Sequence, residues 1–251
     1  MIFMQSSCTN TMIVNGFYRV DEDKIDWIEA FRTDYQWRVT LTNDELKVDK
    51  QDKTTGYGSP ILKTIYFSPK IRIGNAKIFG TNVYLKLLKG NLLGVSYEWS
   101  GGLFQFNDSL NSYKQVKLKN EYEMINSIIS RNNEIFVFTD LLKMYKVNCD
   151  SDLCVAKFIS EFETSKSIST PIIIIVPYLK GDWVILTNNK LSILDSTGKE
   201  IKTISTPFEM AWPNSMVVKD HVVYIGMQEY IAEIDLESKE KAFIYIKKEV
   251  P

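Results

Sequence analysis

A chain of 251 residues, 45% apolar and 24% charged, is long enough to bury a sizeable core and comfortable as one domain. Its formal net charge of −1, with positive charge carried mainly by Lys, supplies neither a global field nor the planar arginine forks that grip phosphates, which argues against nucleic acid as a partner. Residues 1–7 lack a basic, then apolar, leader, and the longest apolar run, residues 172–176, is too short to cross a bilayer. The expectation is a cytoplasmic protein with no membrane contact.

In chain order, Asp21 reads as an N-cap, and Ile25, Ile28 and Phe31 have helical spacing, so a short N-terminal helix is expected over residues 22–31. Residues 36–41 alternate as a half-buried strand, residues 42–44 turn, and residues 45–49 return. Gly56, Gly58 and Pro60 mark a loop before an outer strand at 61–67. From there a pair of apolar strands recurs about every 40 to 50 residues, at 92–97 with 103–106, 135–139 with 142–147, 183–187 with 191–195, and 222–226 with 230–235.

A strand-built repeat of that length resembles a β-propeller. The fold expected is all-β: a β-propeller of about five four-stranded antiparallel blades, forming one domain over 1–251. Its blades are assigned to residues 13–67, 83–118, 124–161, 171–205 and 214–247. Such a ring avoids exposed sheet edges only if its ends lock together, and residues 11–20 are the candidate closing strand. Asp195 and Asp235 end the third strands of their repeats before polar turns, and are expected to cap those turns.

Reactive chemistry is sparse. His221 is the single histidine and sits at a turn. Asn148, Asp150 and Asp152 alternate as a calcium loop begins, but Leu153 and Ile159 stand where such a loop needs glycine and glutamate, so a hairpin turn is expected. No metal and no cofactor are expected. Cys149 and Cys154 flank that turn and could pair across it, and without an export signal two reduced thiols are expected.

The carboxylate pairs Glu121 with Glu123 and Glu161 with Glu163 could in principle serve a carbohydrate-active hydrolase, the alternative to a binding role. The preferred reading is non-enzymatic. Loops at one end of a propeller carry Trp99, Glu121, Tyr122, Glu123, Glu163, Phe208, Glu209, Trp212 and Glu229. Aromatic anchors mixed with acids suit a basic protein partner.

The size, character and repeat plan also resemble an immunity protein of a contact-dependent growth inhibition system. That resemblance implies a monomer that neutralises a bacterial toxin, such as a basic nuclease domain, by occluding its active site. A generic propeller scaffold for a peptide partner is the remaining alternative. Either way, function is expected in the parts that do not repeat: the inter-blade loops and the N-terminal stretch around Trp27 and Trp37.

Overall fold

The computed structural model describes residues 17–20, 25, 33, 35–52, 72–73, 76–77, 81–86, 91–97, 100–106, 113–120, 123–140, 142–150, 153–162, 172–187, 190–206, 213–238 and 243–247. The chain opens with β1 (Phe17–Val20), then β2 (Tyr35–Thr42) and β3 (Glu45–Asp52), which pair as a first, two-stranded sheet. A minimal hairpin follows, β4 (Arg72–Ile73) with β5 (Ala76–Lys77). The second sheet is an antiparallel meander of β6 (Thr81–Lys86), β7 (Asn91–Tyr97), β8 (Ser100–Phe106) and β9 (Tyr113–Val116).

The third sheet repeats the plan with β10 (Ile125–Arg131), β11 (Glu134–Thr139), β12 (Lys143–Cys149) and β13 (Cys154–Glu161). The fourth has β14 (Ile172–Pro177), β15 (Trp183–Thr187), β16 (Lys190–Leu194) and β17 (Glu200–Ser205), with a single 3-10 turn at Leu179–Gly181. The fifth has β18 (Ser215–Lys219), β19 (Val222–Gly226), β20 (Tyr230–Asp235) and β21 (Phe243–Lys247). It gains β1 on the outer side of β21, where Phe17 faces Lys247. The described residues are therefore all-β, built on several four-stranded antiparallel sheets. The helix expected over 22–31 lies outside the described residues except for Ile25, which packs on the core, and the strand expected at 61–67 lies outside them too.

Turn chemistry sets these meanders. Asn43 and Asn132 open two-residue turns with Asp44 and Asn133, all four in the left-handed region that tight hairpins require and that Asn and Asp tolerate. Asp195 Oδ1 accepts the Thr197 and Lys199 N–H groups and the Thr197 hydroxyl, and Asp235 Oδ1 accepts the Glu237 and Ser238 N–H groups. Both aspartates cap their turns. The hydroxyl and amide donors on Asp195 hold its carboxyl below the usual range.

The core is a set of apolar seams between successive sheets. Leu92, Leu103 and Val116 of the second sheet meet Ile125, Ile128 and Val137 of the third. Phe138 and Met144 of the third meet Trp183 and Ile185 of the fourth. Val184 and Leu186 point the other way, onto Met216, Val223 and Ile225 of the fifth. Because β15 is buried on both faces, it reads as a continuous apolar run rather than an alternation.

Inner strands neighbour one another in chain order, β6 by β10, β10 by β14 and β14 by β18, and then β18 lies by β2. Polar staples reinforce the seams. Arg131 donates to the carbonyls of Tyr178 and Asp182 and lies over the Trp183 ring, and Lys202 Nζ reaches the Leu236 and Ser238 carbonyls.

Candidate functional site

Strand direction reverses at every turn of a meander, so the links β9–β10, β13–β14 and β17–β18 lie at the same end of their sheets as the turns β7–β8, β11–β12, β15–β16 and β19–β20. This is the loop end to which the sequence assigns partner binding. Of the residues assigned, Trp99, Glu121, Tyr122, Glu163, Phe208, Glu209 and Trp212 lie outside the described residues. Glu123 and Glu229 are described.

Glu123 stands two residues before β10 and is only 1% exposed. It is not part of an open acidic surface. Its Oε1 accepts Lys143 Nζ at 2.8 Å and the Asn120 N–H at 3.2 Å, and the Tyr145 hydroxyl donates to its Oε2 at 2.8 Å. Lys143 and Tyr145 reach it together because residues two apart on β12 share a face.

The Tyr145 oxygen also accepts the Lys119 N–H. Burial, and then the bond to the Glu123 carboxylate, holds the Tyr145 hydroxyl well above its ordinary pKa. The turn before Lys143 is itself fixed. Leu142 takes a left-handed conformation and donates to the Thr139 carbonyl, while the Lys143 N–H reaches Thr139 Oγ1.

Two charges taken out of water are costly unless each is paired and hydrogen-bonded, and here both are. The product is a pinned root for the 117–124 link. Glu123 therefore faces inward, onto Lys143 and Tyr145, rather than toward solvent. Glu161, of the second such pair, is half-exposed, with its carboxylate 4.0 Å from Lys119 Nζ.

Glu229 lies in the β19–β20 turn, half-buried and left-handed. Its carbonyl accepts Trp37 Nε1 at 2.9 Å. Beside it Gln228 bridges Gln36, and the Trp37 N–H donates to the Met227 carbonyl at 2.8 Å. Trp37, expected in an irregular and functional stretch, is 4% exposed and packs between Phe17 and Tyr35 in edge-on contacts. Its place is in the seam between the fifth and first sheets. Asn214, which precedes β18, is buried, and among the described residues both atoms of its side-chain amide lack a partner.

By sequence, no known protein family and no characterised protein matches this chain. By structure, it is similar to BamB from Moraxella catarrhalis, with 13% identity over 61% of this chain and 45% of that one, at a TM-score of 0.39. It is also similar to the AfRom2 CNH domain, with 11% identity over 86% of this chain and 78% of that one, at a TM-score of 0.44. The chain thus spans about 45% of the length of BamB. The architecture stands on the sheets themselves.

Away from the loop end, His221 Nε2 lies 3.9 Å from Asp235 Oδ1 at the β18–β19 turn, with both side chains partly exposed. The calcium-like stretch 148–152 belongs to the β12–β13 hairpin, where the Asp150 N–H donates to the Leu153 carbonyl. Among the described residues no group of three or more His, Cys, Asp or Glu is arranged to hold a metal ion, and no helix is long and apolar enough to cross a membrane.

Cys149 and Cys154 correct the expectation of free thiols: they oppose one another in the antiparallel register and are joined as a disulfide. The residues that sequence reasoning missed are Lys143 and Tyr145. The available signal was a lysine set in the apolar strand 142–147.

Proposed function

We propose that this chain is a β-propeller of about five blades and acts as a non-enzymatic binding protein, contacting its partner through the loop end of the ring. The observation that carries the reading is the buried Glu123–Lys143–Tyr145 cluster at the root of the 117–124 link. A buried ion pair adds little net stability but can enforce a single geometry. Lys119, Asn120 and Glu123, held beforehand, lose less entropy when a partner binds there. That link carries Glu121 and Tyr122, an acid beside an aromatic anchor.

With Glu123 engaged internally, the acids proposed for contact are Glu121, Glu163, Glu209 and Glu229, interleaved with Trp99, Tyr122, Phe208 and Trp212. Their charge complements a cationic surface. The specific partner we propose is a toxin nuclease domain, whose groove must be basic to hold phosphates. The chain would then be a cytoplasmic immunity protein, monomeric until it covers that groove.

The test is affinity capture from the source cells with three baits: the natural chain, a Glu121→Lys, Glu163→Lys, Glu209→Lys variant, and a control with Lys199→Glu and Lys219→Glu at the opposite sheet ends. A basic nuclease domain captured by the first and third baits, and bound about tenfold or more weakly by the second, is expected. Capture unchanged in the loop variant but lost in the control would overturn the assignment of the loop end.

A further inference from the structure

The β12–β13 hairpin turns over 150–153, at the far end of the third sheet from Glu123. Asp150 and Leu153 share a hydrogen bond there, so the next pair inward, Cys149 with Cys154, occupies a non-hydrogen-bonded position of the ladder. At such a position the Cys154 N–H points out of its own sheet. It donates to the buried Gln105 Oε1 on β8 at 2.8 Å, which ties the hairpin to the second sheet. Cys154 is 3% exposed and Cys149 is half-buried, and both pack with Leu103 and Val116 across the same seam. The one covalent cross-link among the described residues therefore sits on the strand end that the neighbouring sheet grips.

We propose that the Cys149–Cys154 disulfide is a redox latch on the seam between the second and third sheets. Closed, it holds the end of β13 so that the Cys154 N–H meets Gln105. Opened, it frees the hairpin end and loosens that seam while the remaining sheets stay folded.

The opening reagent is a dithiol. One thiolate of the reductant attacks the more accessible sulfur, on Cys149, forming a mixed disulfide and expelling the Cys154 thiolate, which takes up a proton. The second thiol of the reductant, as its thiolate, then attacks the mixed disulfide, and Cys149 leaves and is protonated. Two electrons and two protons pass to the protein, and the dithiol becomes a cyclic disulfide.

The experiment uses the full chain carrying Cys8→Ser, so that only this pair titrates, with dithiothreitol as the dithiol. Free thiols are counted, and amide hydrogen exchange is followed residue by residue under native conditions. The isolated protein is expected to show no free thiol, and two after reduction without unfolding. Reduction should speed exchange of the Cys154 amide about tenfold, the loss of one buried hydrogen bond, and leave Ser192 in the fourth sheet unchanged.

Gln105→Met should give the same fast exchange at Cys154 in the oxidised protein. Cys149→Ser with Cys154→Ser should reproduce it without reductant. If that double variant does not fold, the reduced natural pair supplies the measurement. Equal protection of Cys154 before and after reduction, reduction only when the whole chain unfolds, or free thiols that oxidised glutathione does not pair would each overturn the proposal.

Discussion

The seam between the fifth and first sheets and the seam between the third and fourth are held by different means. The first is closed by hydrogen bonds that each have the main chain on at least one side. Trp37 N–H meets the Met227 carbonyl, the Val39 N–H meets Ser215 Oγ, and Gln36 bridges Gln228. The second is closed by side chains, with Arg131 spanning to Tyr178 and Asp182 above a seam of Phe136, Phe138 and Trp183 rings.

Sheets that follow one another along the chain are already tethered, so apolar interlock and one arginine suffice. The fifth and first sheets are brought together from opposite ends of the described chain. There the backbones approach so closely that a Cβ on Gly226 would collide with Ser215 Oγ and the Trp37 carbonyl.

Breaking the seam between the fifth and first sheets should cost more than cutting the one between the third and fourth. Trp37→Ala removes the ring at the centre of the first seam and should lower unfolding free energy by about 3–5 kcal/mol in urea titration. Gly226→Ala forces the two backbones apart and should cost about 1–3 kcal/mol by the same measurement. Arg131→Ala loses two charge-assisted bonds and a contact with an aromatic face, partly exposed, and should cost about 1–2 kcal/mol. Equal losses for Trp37→Ala and Arg131→Ala would erase the contrast.

The smallest effect concerns alkaline pH. Burial, with the nearby charges of Glu233, Tyr245 and Asp220, pushes Tyr224 at the first seam up to about 12. An unfolded tyrosine ionises near 10. The stability carried by the neutral phenol is therefore whole below about pH 10 and drains away as pH rises through about 12. Tyr224→Phe should flatten that part of a stability–pH curve, and an unchanged alkaline slope would place the loss elsewhere.

Local sequence carried most of the sheet plan. Apolar runs such as 183–187, and turn residues such as Asn132, Asn133 and Asp195, act on their immediate neighbours, so their effects can be read from the chain. Glu123 could not be read this way. In the chain it resembles any loop acid; its burial is decided by Lys143 and Tyr145, 20 and 22 residues further on. Trp37 is similar, because its partners lie on the far side of the chain. For the cysteines the facing geometry was legible, since a short hairpin sets it, while the bond between them was not, because compartment alone does not decide sulfur chemistry.

The four residues of β1 set a condition on how the molecule is made. Among the described residues Phe17–Val20 pair with Phe243–Lys247, so during synthesis that pairing waits until the last described strand has left the ribosome. The second, third and fourth sheets can each form from contiguous chain in the meantime, whereas bringing β1 to β21 carries a large loop entropy. A circular permutant that joins residue 251 to residue 1 and reopens the chain at the 117–124 link would make the β1–β21 pairing local. It should keep the same five-stranded last sheet.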